Sequence, residues 1–124
     1  MNDPRGLAPV GWHIPSDSEW TVLTSYLGGT SVAGGKMKES DTLHWNSPNT
    51  GATNESGFTG LPAGDRISTG SYSYLRNAGL WWSSSENTAL TTNSWCRILN
   101  YSNTNAVRIN YSKKTGLSIR CLKN

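Results

Sequence analysis

The sequence predicts an α+β domain in which early helices pack on a small antiparallel sheet formed by the later part of the chain. A capped amphipathic helix follows residue 16, and three short stretches of alternating apolar and polar residues follow residue 93. Ser, Thr and Asn supply 42 of the 124 residues, but six Trp and five Tyr provide the aromatic side chains that disordered chains lack. A chain of this length forms one core, so residues 1–124 are interpreted as a single loop-rich domain with a lead-in at residues 1–10.

The first two elements are a short strand and a helix. The apolar stretch 11–15 predicts a strand that ends at Pro15. Ser16 and Glu19 have the spacing of a capping box, which predicts a helix over residues 17–27. Its apolar face follows the spacing i, i+3, i+7 at Trp20, Leu23 and Leu27.

A second helix is predicted over residues 31–39, with Ser31 as its N-cap and with Val32 and Met37 buried. Residues 41–70 then form a long loop. Trp45, Phe58 and other apolar residues are spaced along it, which indicates a loop held by packing.

The C-terminal part reads as strands. An apolar segment at 79–85 is followed by three strands at 94–101, 107–111 and 117–122, which are expected to form an antiparallel meander. Alternation along 94–101 places one group of side chains on one face and a second group on the other. The first group is Trp95, Arg97, Leu99 and Tyr101, and the second is Ser94, Cys96, Ile98 and Asn100.

The charge is uneven along the chain. Residues 1–86 hold five Lys or Arg and eight Asp or Glu, for a net charge of −3, whereas residues 87–124 hold six Lys or Arg and no acid. A basic half attracts polyanions, but these charges are spread singly, so we expect arginines that anchor strands and no nucleic-acid partner. No apolar run is long enough to span a membrane. A Lys- or Arg-rich leader followed by an apolar run does not follow Met1, so we expect that a signal peptide is absent or was removed.

Residues for catalysis or metal binding are poorly supported. Cys96 and Cys121 belong to no CxxC motif, and either a disulfide or two free thiols is compatible with the sequence. His13 lies in the first predicted strand and is expected to be structural. A calcium site would draw on Asn46, Asn49, Asn54 and Glu55, whose single charge predicts poor affinity. We therefore expect no catalytic residues, no metal and no cofactor.

A different kind of pattern begins at Ile67. Two kinds of position alternate from there on. Some positions, such as Trp81 and Trp82, are expected to be held by packing, and the others are filled by Ser, Thr, Asn, Tyr and Ile. These residue types are favoured in binding loops, and apolar members on an exposed face would form a mixed patch. Ordinary surface variation is the competing interpretation of the same residues.

The order of short motifs along the chain resembles the Fibrobacter succinogenes major paralogous domain. The matching segments are Gly11–Trp20, Leu27–Gly29, Ala33–Glu39, His44–Asn46, Asn54–Phe58, Leu61–Gly64, Trp81–Glu86 and Gly116–Cys121. That family is similar to C-type lectin-like domains of the formylglycine-generating-enzyme kind. The resemblance implies a C-type lectin-like fold, with two helices around a small twisted antiparallel sheet and with the chain ends close together.

Members of this family also resemble the variable proteins of diversity-generating retroelements. The resemblance implies a ligand-binding module, displayed by a larger surface protein or assembly, whose variable region spans residues 65–124. Its partner would be a protein or cell-surface ligand, including glycans. The implied variable face comprises Ile67, Thr69, Tyr72, Tyr74, Arg76, Leu80, Leu90, Thr92, Cys96, Ile98, Tyr101, Ile109 and Tyr111.

Two other functions are open. A carbohydrate-binding or adhesion module without variable positions would use Trp81 or Trp82 as stacking platforms, although we expect both to be core residues. An enzyme of the formylglycine-generating type would need both Cys96 and Cys121. The calcium-binding motifs of sugar-binding C-type lectins do not occur in the sequence, which disfavours calcium-dependent sugar binding.

Overall fold

The computed structural model describes residues 6–124 as an α+β arrangement of two helices and small antiparallel sheets. The helices are α1 (Asp17–Tyr26) and α2 (Ala33–Met37). The strands are β1 (Trp12–His13), β2 (Asp65–Arg66), β3 (Tyr72–Ser73), β4 (Ala78–Glu86), β5 (Asn93–Asn100), β6 (Ala106–Ser112) and β7 (Leu122–Lys123). The predicted α+β class is confirmed.

Helix α1 begins as its capping box predicts. The Ser16 hydroxyl accepts the Glu19 N–H, and the Glu19 carboxylate accepts the Ser16 N–H at 2.8 Å. The predicted apolar face packs inward, since Trp20 and Leu27 are buried and Leu23 is partly buried against the core. The helix ends at Tyr26, one residue before the predicted end.

Helix α2 is shorter than predicted, and its predicted cap is wrong. It covers five residues, starts after Val32 without a side-chain cap, and leaves Val32 exposed, while Met37 is buried as expected. Gly34 explains the geometry, because a Cβ there would lie 2.1 Å from the Asn105 carbonyl oxygen. The helix is therefore defined by close backbone packing more than by helix propensity.

The main sheet has the order β4–β5–β6, with both pairs antiparallel. The predicted strand 117–122 is not part of this meander, and that prediction is wrong. Ser118 instead lies parallel to β4, where it donates its N–H to the Leu80 carbonyl and accepts the Trp82 N–H. Side-chain alternation shows that a segment is extended, but it does not show which strand lies beside it.

The strand register separates the residues of the sheet into two faces. The core face carries Gly79, Trp81, Trp95, Arg97, Leu99, Ala106, Arg108 and Asn110. The outer face carries Leu80, Trp82, Ser94, Cys96, Ile98, Val107, Ile109 and Tyr111. The core face packs against α1, α2 and the long loop through a cluster that includes Trp20, Trp45 and Leu99.

The long loop between α2 and β2 is held by packing and by hydrogen bonds, as the sequence predicts. Trp45 is fully buried and donates its indole N–H to the Gly60 carbonyl at 2.9 Å. The buried Lys38 ammonium donates to three backbone carbonyls, those of Thr50, Asn100 and Asn103, each at 2.9 Å. Lys38, just after α2, thereby joins the long loop to the end of β5 and to the turn between β5 and β6.

The predicted first strand is reduced to the two residues of β1. Trp12 pairs with Lys123 and His13 pairs with Leu122, so β1 and β7 form a two-stranded sheet. The first and last strands of the described chain therefore lie side by side.

Candidate functional site

The β2–β3 hairpin lies next to the main sheet. In the hairpin, Asp65 pairs with Ser73 and Arg66 pairs with Tyr72. Gly64, just before the hairpin, lies parallel to Gly79 of β4, and Arg66 also pairs with Gly116. Burial raises the pKa of the Tyr111 hydroxyl on the outer face, and the nearby acidic groups of Tyr74, Asp65 and Cys96 raise it further. We call the accessible residues here the recognition surface, namely Ile67, Thr69, Tyr72, Tyr74, Ile98, Val107, Ile109 and Tyr111.

Apolar and aromatic side chains dominate the exposed part of this surface. Tyr72 is 79% exposed and Tyr74 is 54% exposed, and Ile67 and Ile109 are also exposed. Ile98 and Tyr111 are half-buried. Tyrosines contribute large contact area at a low cost in conformational entropy, which suits them to recognition of macromolecules.

Val107 belongs to this surface although the sequence reasoning missed it. It is 41% exposed and pairs with Ile98 across the sheet, on the same face as Ile109. The alternation of Val107, Ile109 and Tyr111 could have identified it. Leu75, which follows the hairpin and is 68% exposed, was missed as well.

Leu80 and Cys96 were predicted to be on the variable face, and the structure buries both. Leu80 is 1% exposed and Cys96 is 0% exposed, so neither can contact a ligand in this structure. Both lie in central positions of the sheet, where segment 116–118 flanks β4 on one side and β6 flanks β5 on the other. Cys96 lies on the same face as Ile98, as the alternation predicted, but the predicted exposure of Leu80 and Cys96 is wrong.

Tyr101 and Arg76, both predicted to contact the ligand, make contacts within the protein. The Tyr101 ring packs against the hydrophobic core, and its backbone bonds to Asn77 and Thr50. Arg76 is exposed, but its guanidinium donates to Asn46 Oδ1 and to the carbonyls of Leu43 and Thr42. Arg76 therefore holds the long loop.

Leu90 and Thr92 are exposed in the loop between β4 and β5. The Thr92 carbonyl accepts the Lys113 N–H at 2.9 Å, so this loop meets the segment that follows β6. The loop lies at the end of the sheet where Tyr111 pairs with Ser94. These two predicted residues extend the recognition surface at its edge.

A charged cluster stabilises the core face behind the recognition surface. Arg97, only 1% exposed, donates to Asp17 Oδ1 at 2.7 Å and to Thr21 Oγ1 at 3.0 Å. Arg108 also binds the Asp17 carboxylate, at 2.8 Å, and stacks 3.5 Å from the centre of the Trp95 ring. Burial raises the pKa of Asp17, but hydrogen bonds from Arg108 and Arg97 outweigh this and hold that pKa below its usual range.

The basic residues of the C-terminal part are largely engaged within the protein. Arg120 donates to the Phe58 carbonyl at 2.8 Å and stacks on the Phe58 ring. Lys113 pairs with Glu86. Together with the two arginines bound to Asp17, these contacts support the interpretation of anchoring cations.

His13 is hydrogen-bonded within the fold, and Cys96 is buried. His13 contacts Glu19 at 2.9 Å and Asn124 at 2.6 Å, as expected of a structural histidine. Cys96 and Cys121 are free thiols, and burial raises the pKa of the Cys96 thiol to about 12, which disfavours its reactive thiolate form.

The calcium candidates make separate contacts. Asn54 bonds to Thr59, Glu55 pairs with Lys36, and Asn49 bonds to backbone carbonyls. Within residues 6–124, no group of three or more His, Cys, Asp or Glu side chains is arranged to hold a metal ion.

The pockets next to the recognition surface are small. One, beside the hairpin, is lined by Asp65, Arg66, Tyr72 and Leu117 and has a volume of about 190 Å³. Another, about 260 Å³, lies at Trp82 and Ser94. Sites for drug-sized molecules usually span about 300–1,000 Å³, so this surface suits a macromolecular partner better than a small metabolite.

Within residues 6–124, these features describe a small α+β domain with a buried core and with an exposed surface that carries apolar and aromatic side chains. The sequence profile of the Fibrobacter succinogenes major domain matches residues 1–123, and the chain belongs to this family. No curated protein and no solved structure matches the chain significantly. In the described part of the chain, none of the helices has the length and apolar character needed to cross a membrane.

Proposed function

We propose that this chain is a non-enzymatic binding module that recognises a protein or cell-surface ligand through the recognition surface. The observation that carries the proposal is the contrast between this surface and the residues behind it. Tyr72, Tyr74 and Ile109 are exposed, whereas Arg97 and Trp81 are held in the interior by specific contacts. Exposed aromatic anchors on a rigid scaffold are typical of protein-binding surfaces.

The scaffold proposed for this module is a C-type lectin-like fold. Its support is the two helices beside an antiparallel sheet and the pairing of β1 with β7. A larger surface protein or assembly would display the module. The support for display at a surface is the resemblance of the family to the variable proteins of retroelements.

We further propose that the exposed positions from Ile67 to Tyr111 are diversified by a retroelement. The positions implied to vary include exposed side chains such as Thr69 and Leu90, at which many residue types fit without repacking the core. Leu80 and Cys96 would accept a narrower range, because each is surrounded by packed side chains.

Binding is tested with a displayed library in which Ile67, Thr69, Tyr72, Ile109 and Tyr111 are randomised. The library is panned against a folded protein such as lysozyme. A control library randomises five exposed residues on and after α1: Val22, Ser25, Tyr26, Thr30 and Ser31. The proposal predicts binders from the first library at a frequency at least about tenfold above the control, and equal frequencies would contradict it.

Diversification is tested by sequencing the locus and its flanking DNA across the source population. The proposal predicts substitutions concentrated at the exposed positions, at adenines of a nearby template repeat beside a reverse-transcriptase gene. Uniform codons without a template would contradict diversification and would leave the binding proposal to the library experiment.

Glycan binding without variation is the second candidate function. Trp81 and Trp82 cannot act as its platforms, because they are 5% and 8% exposed. Trp12 is the tryptophan that favours this candidate: it is 44% exposed and lines a pocket of about 650 Å³ with His13 and Glu19. Glycan binding that is abolished by Trp12→Ala, in a protein that remains folded, would support this candidate over the first.

A further inference from the structure

Strand β6 is an edge of the main sheet, and the hydrogen bonds around it show which of its backbone groups are free. Ala106 donates its N–H to the Thr30 carbonyl, outside the sheet. Because the hydrogen-bonding direction alternates along a strand, the backbone groups of Arg108 and Asn110 also point away from β5. The hydrogen bonds of β4 agree with this direction for Arg108 and Asn110. The backbone groups of Leu80 and Trp82 bond outward to Ser118, so the groups of Gly79 and Trp81 face β5.

Four backbone groups of this edge have no partner among the described residues. Within residues 6–124, no hydrogen bond is made by the N–H or C=O groups of Arg108 and Asn110 on the outside of the sheet. The ends of the edge are closed, because Thr30 occupies the Ala106 N–H and the Ser112 carbonyl accepts the Thr115 N–H. The free edge is therefore the short segment 107–111.

The side chains of this segment differ between the two faces. Val107 and Ile109 are exposed on the outer face at 41% and 38%. Arg108 and Asn110 lie on the core face, where Arg108 binds Asp17 and Asn110 accepts a hydrogen bond from Asn93. An exposed edge strand with apolar side chains favours the addition of another strand.

We propose that β6 pairs with β6 of a second copy of this chain, antiparallel and with Ile109 on the two-fold axis. In this register Arg108 lies opposite Asn110 of the partner copy, and Val107 lies opposite Tyr111. Each Arg108–Asn110 pair exchanges two backbone hydrogen bonds, so all four free groups of each copy are satisfied.

The neighbouring registers satisfy fewer groups. An axis at Arg108 places two like charges opposite each other and requires the Ala106 N–H that Thr30 already holds. An axis at Asn110 requires the Ser112 carbonyl that Thr115 holds. The register centred on Ile109 is the one that charge and hydrogen bonding both favour.

The dimer would join the two main sheets and place their outer faces side by side. Val107, Ile109 and Tyr111 of each copy then form one apolar stripe across the axis. Two recognition surfaces on one continuous sheet allow bivalent binding, which raises the apparent affinity for a clustered ligand.

Site-directed disulfides test the register. In a Cys96→Ala, Cys121→Ser background, Val107→Cys and Tyr111→Cys proteins are prepared separately and then mixed under mild oxidation. In the proposed register, Val107 and Tyr111 of the partner copy form a non-hydrogen-bonded pair. The Cα atoms of such a pair lie about 4.5 Å apart, which is within disulfide range. The proposal predicts a disulfide-linked heterodimer in the mixture, at least about tenfold more abundant than either homodimer. Equal yields of all three products, or none, would overturn it.

Sedimentation equilibrium of the unaltered chain tests the dimer without cysteine substitutions. Asn110→Pro removes an outward N–H, and Asn110→Ala is its matched control because both variants lose the same side-chain bond to Asn93. The proposal predicts a concentration-dependent dimer whose dissociation constant rises at least about tenfold in Asn110→Pro relative to Asn110→Ala. A monomer at all concentrations up to about 0.5 mM, or equal constants for the two variants, would overturn it.

Discussion

The two faces of the main sheet have the same strands but different degrees of constraint. On the core face, Arg97 and Leu99 are buried, and Arg97 is held by α1. On the outer face, Leu80 and Cys96 of the inner strands are buried as well, but Val107 and Ile109 of the edge strand β6 remain exposed. This difference shows how one sheet can combine a scaffold that tolerates little change with a surface on which many side chains are compatible with folding.

The largest difference is expected between two aliphatic residues on opposite faces. Leu99→Ala should lower the free energy of unfolding by about 3–4 kcal/mol, because it leaves a cavity in the core. Ile109→Ala should lower it by less than about 1 kcal/mol, since its side chain is 38% exposed. Urea denaturation measures both values, and a cost for Ile109→Ala that equals that of Leu99→Ala would remove the distinction between the faces.

The cluster that attaches α1 to the core face predicts the next largest effect. Asp17→Asn should cost about 2–3 kcal/mol, because the buried Arg97 guanidinium loses its counter-charge. The matched control is Glu55→Gln, which removes a partner from the exposed Lys36 pair and should change stability by less than about 0.5 kcal/mol. Thermal and urea unfolding of both variants compare the pairs, and equal costs would contradict the proposed anchoring.

Tyr101 and Tyr72 separate the core from the recognition surface. Tyr101→Ala should cost about 1–2 kcal/mol, since its ring packs on the core cluster. Tyr72→Ala should change stability by less than about 0.5 kcal/mol, because Tyr72 is 79% exposed, and it should weaken ligand binding. Chemical denaturation checks that Tyr101→Ala lowers the free energy of unfolding more than Tyr72→Ala does. The opposite order would place Tyr101 on the binding surface.

A smaller, pH-dependent effect is expected at the start of α1. Hydrogen bonds from the Ser16 backbone and hydroxyl and from His13 lower the pKa of Glu19 to about 2. The unfolded chain, with an ordinary Glu pKa near 4.5, binds the proton first as the pH falls. The stabilisation by Glu19 is therefore complete above pH 4.5 and is lost as the pH falls toward about 2.

Because the Glu19 side chain is 39% exposed, solvent screening reduces this contribution to on the order of 1 kcal/mol. Urea denaturation of the unaltered protein and of Glu19→Gln at pH 6 and pH 3 measures it. The difference between the two proteins should be larger at pH 6. A difference that is independent of pH would show that the Glu19 charge does not stabilise the fold.

The local elements of the fold could be predicted from the sequence. Ser16, Glu19 and Trp20 predicted α1 because capping and helical periodicity act within a few residues. Alternation predicted β5 and β6 to within one residue at each end. These signals depend on neighbours along the chain, so a single sequence contains them.

Contacts between distant segments could not be read in the same way. The place of Ser118 beside β4 depends on backbone bonds to Leu80 and Trp82, and no side-chain pattern encodes that pairing. The burial of Cys96 results from its central strand and the elements around it. Lys38 bonds to three backbone carbonyls, from the long loop and from the end of β5 and the turn after it, that come together only in the folded chain. The hydrophobic pattern therefore predicted the faces of the sheet but not the exposure of each residue.

The measurement that tests the central claim most directly is a stability scan of every single substitution, read as protease resistance of the displayed protein. The account predicts that most substitutions at Ile67, Thr69, Tyr72 and Ile109 leave resistance unchanged. Most substitutions at Trp45, Trp81, Arg97 and Leu99 should abolish it. Equal sensitivity of the two groups would contradict the separation of a rigid scaffold from a recognition surface.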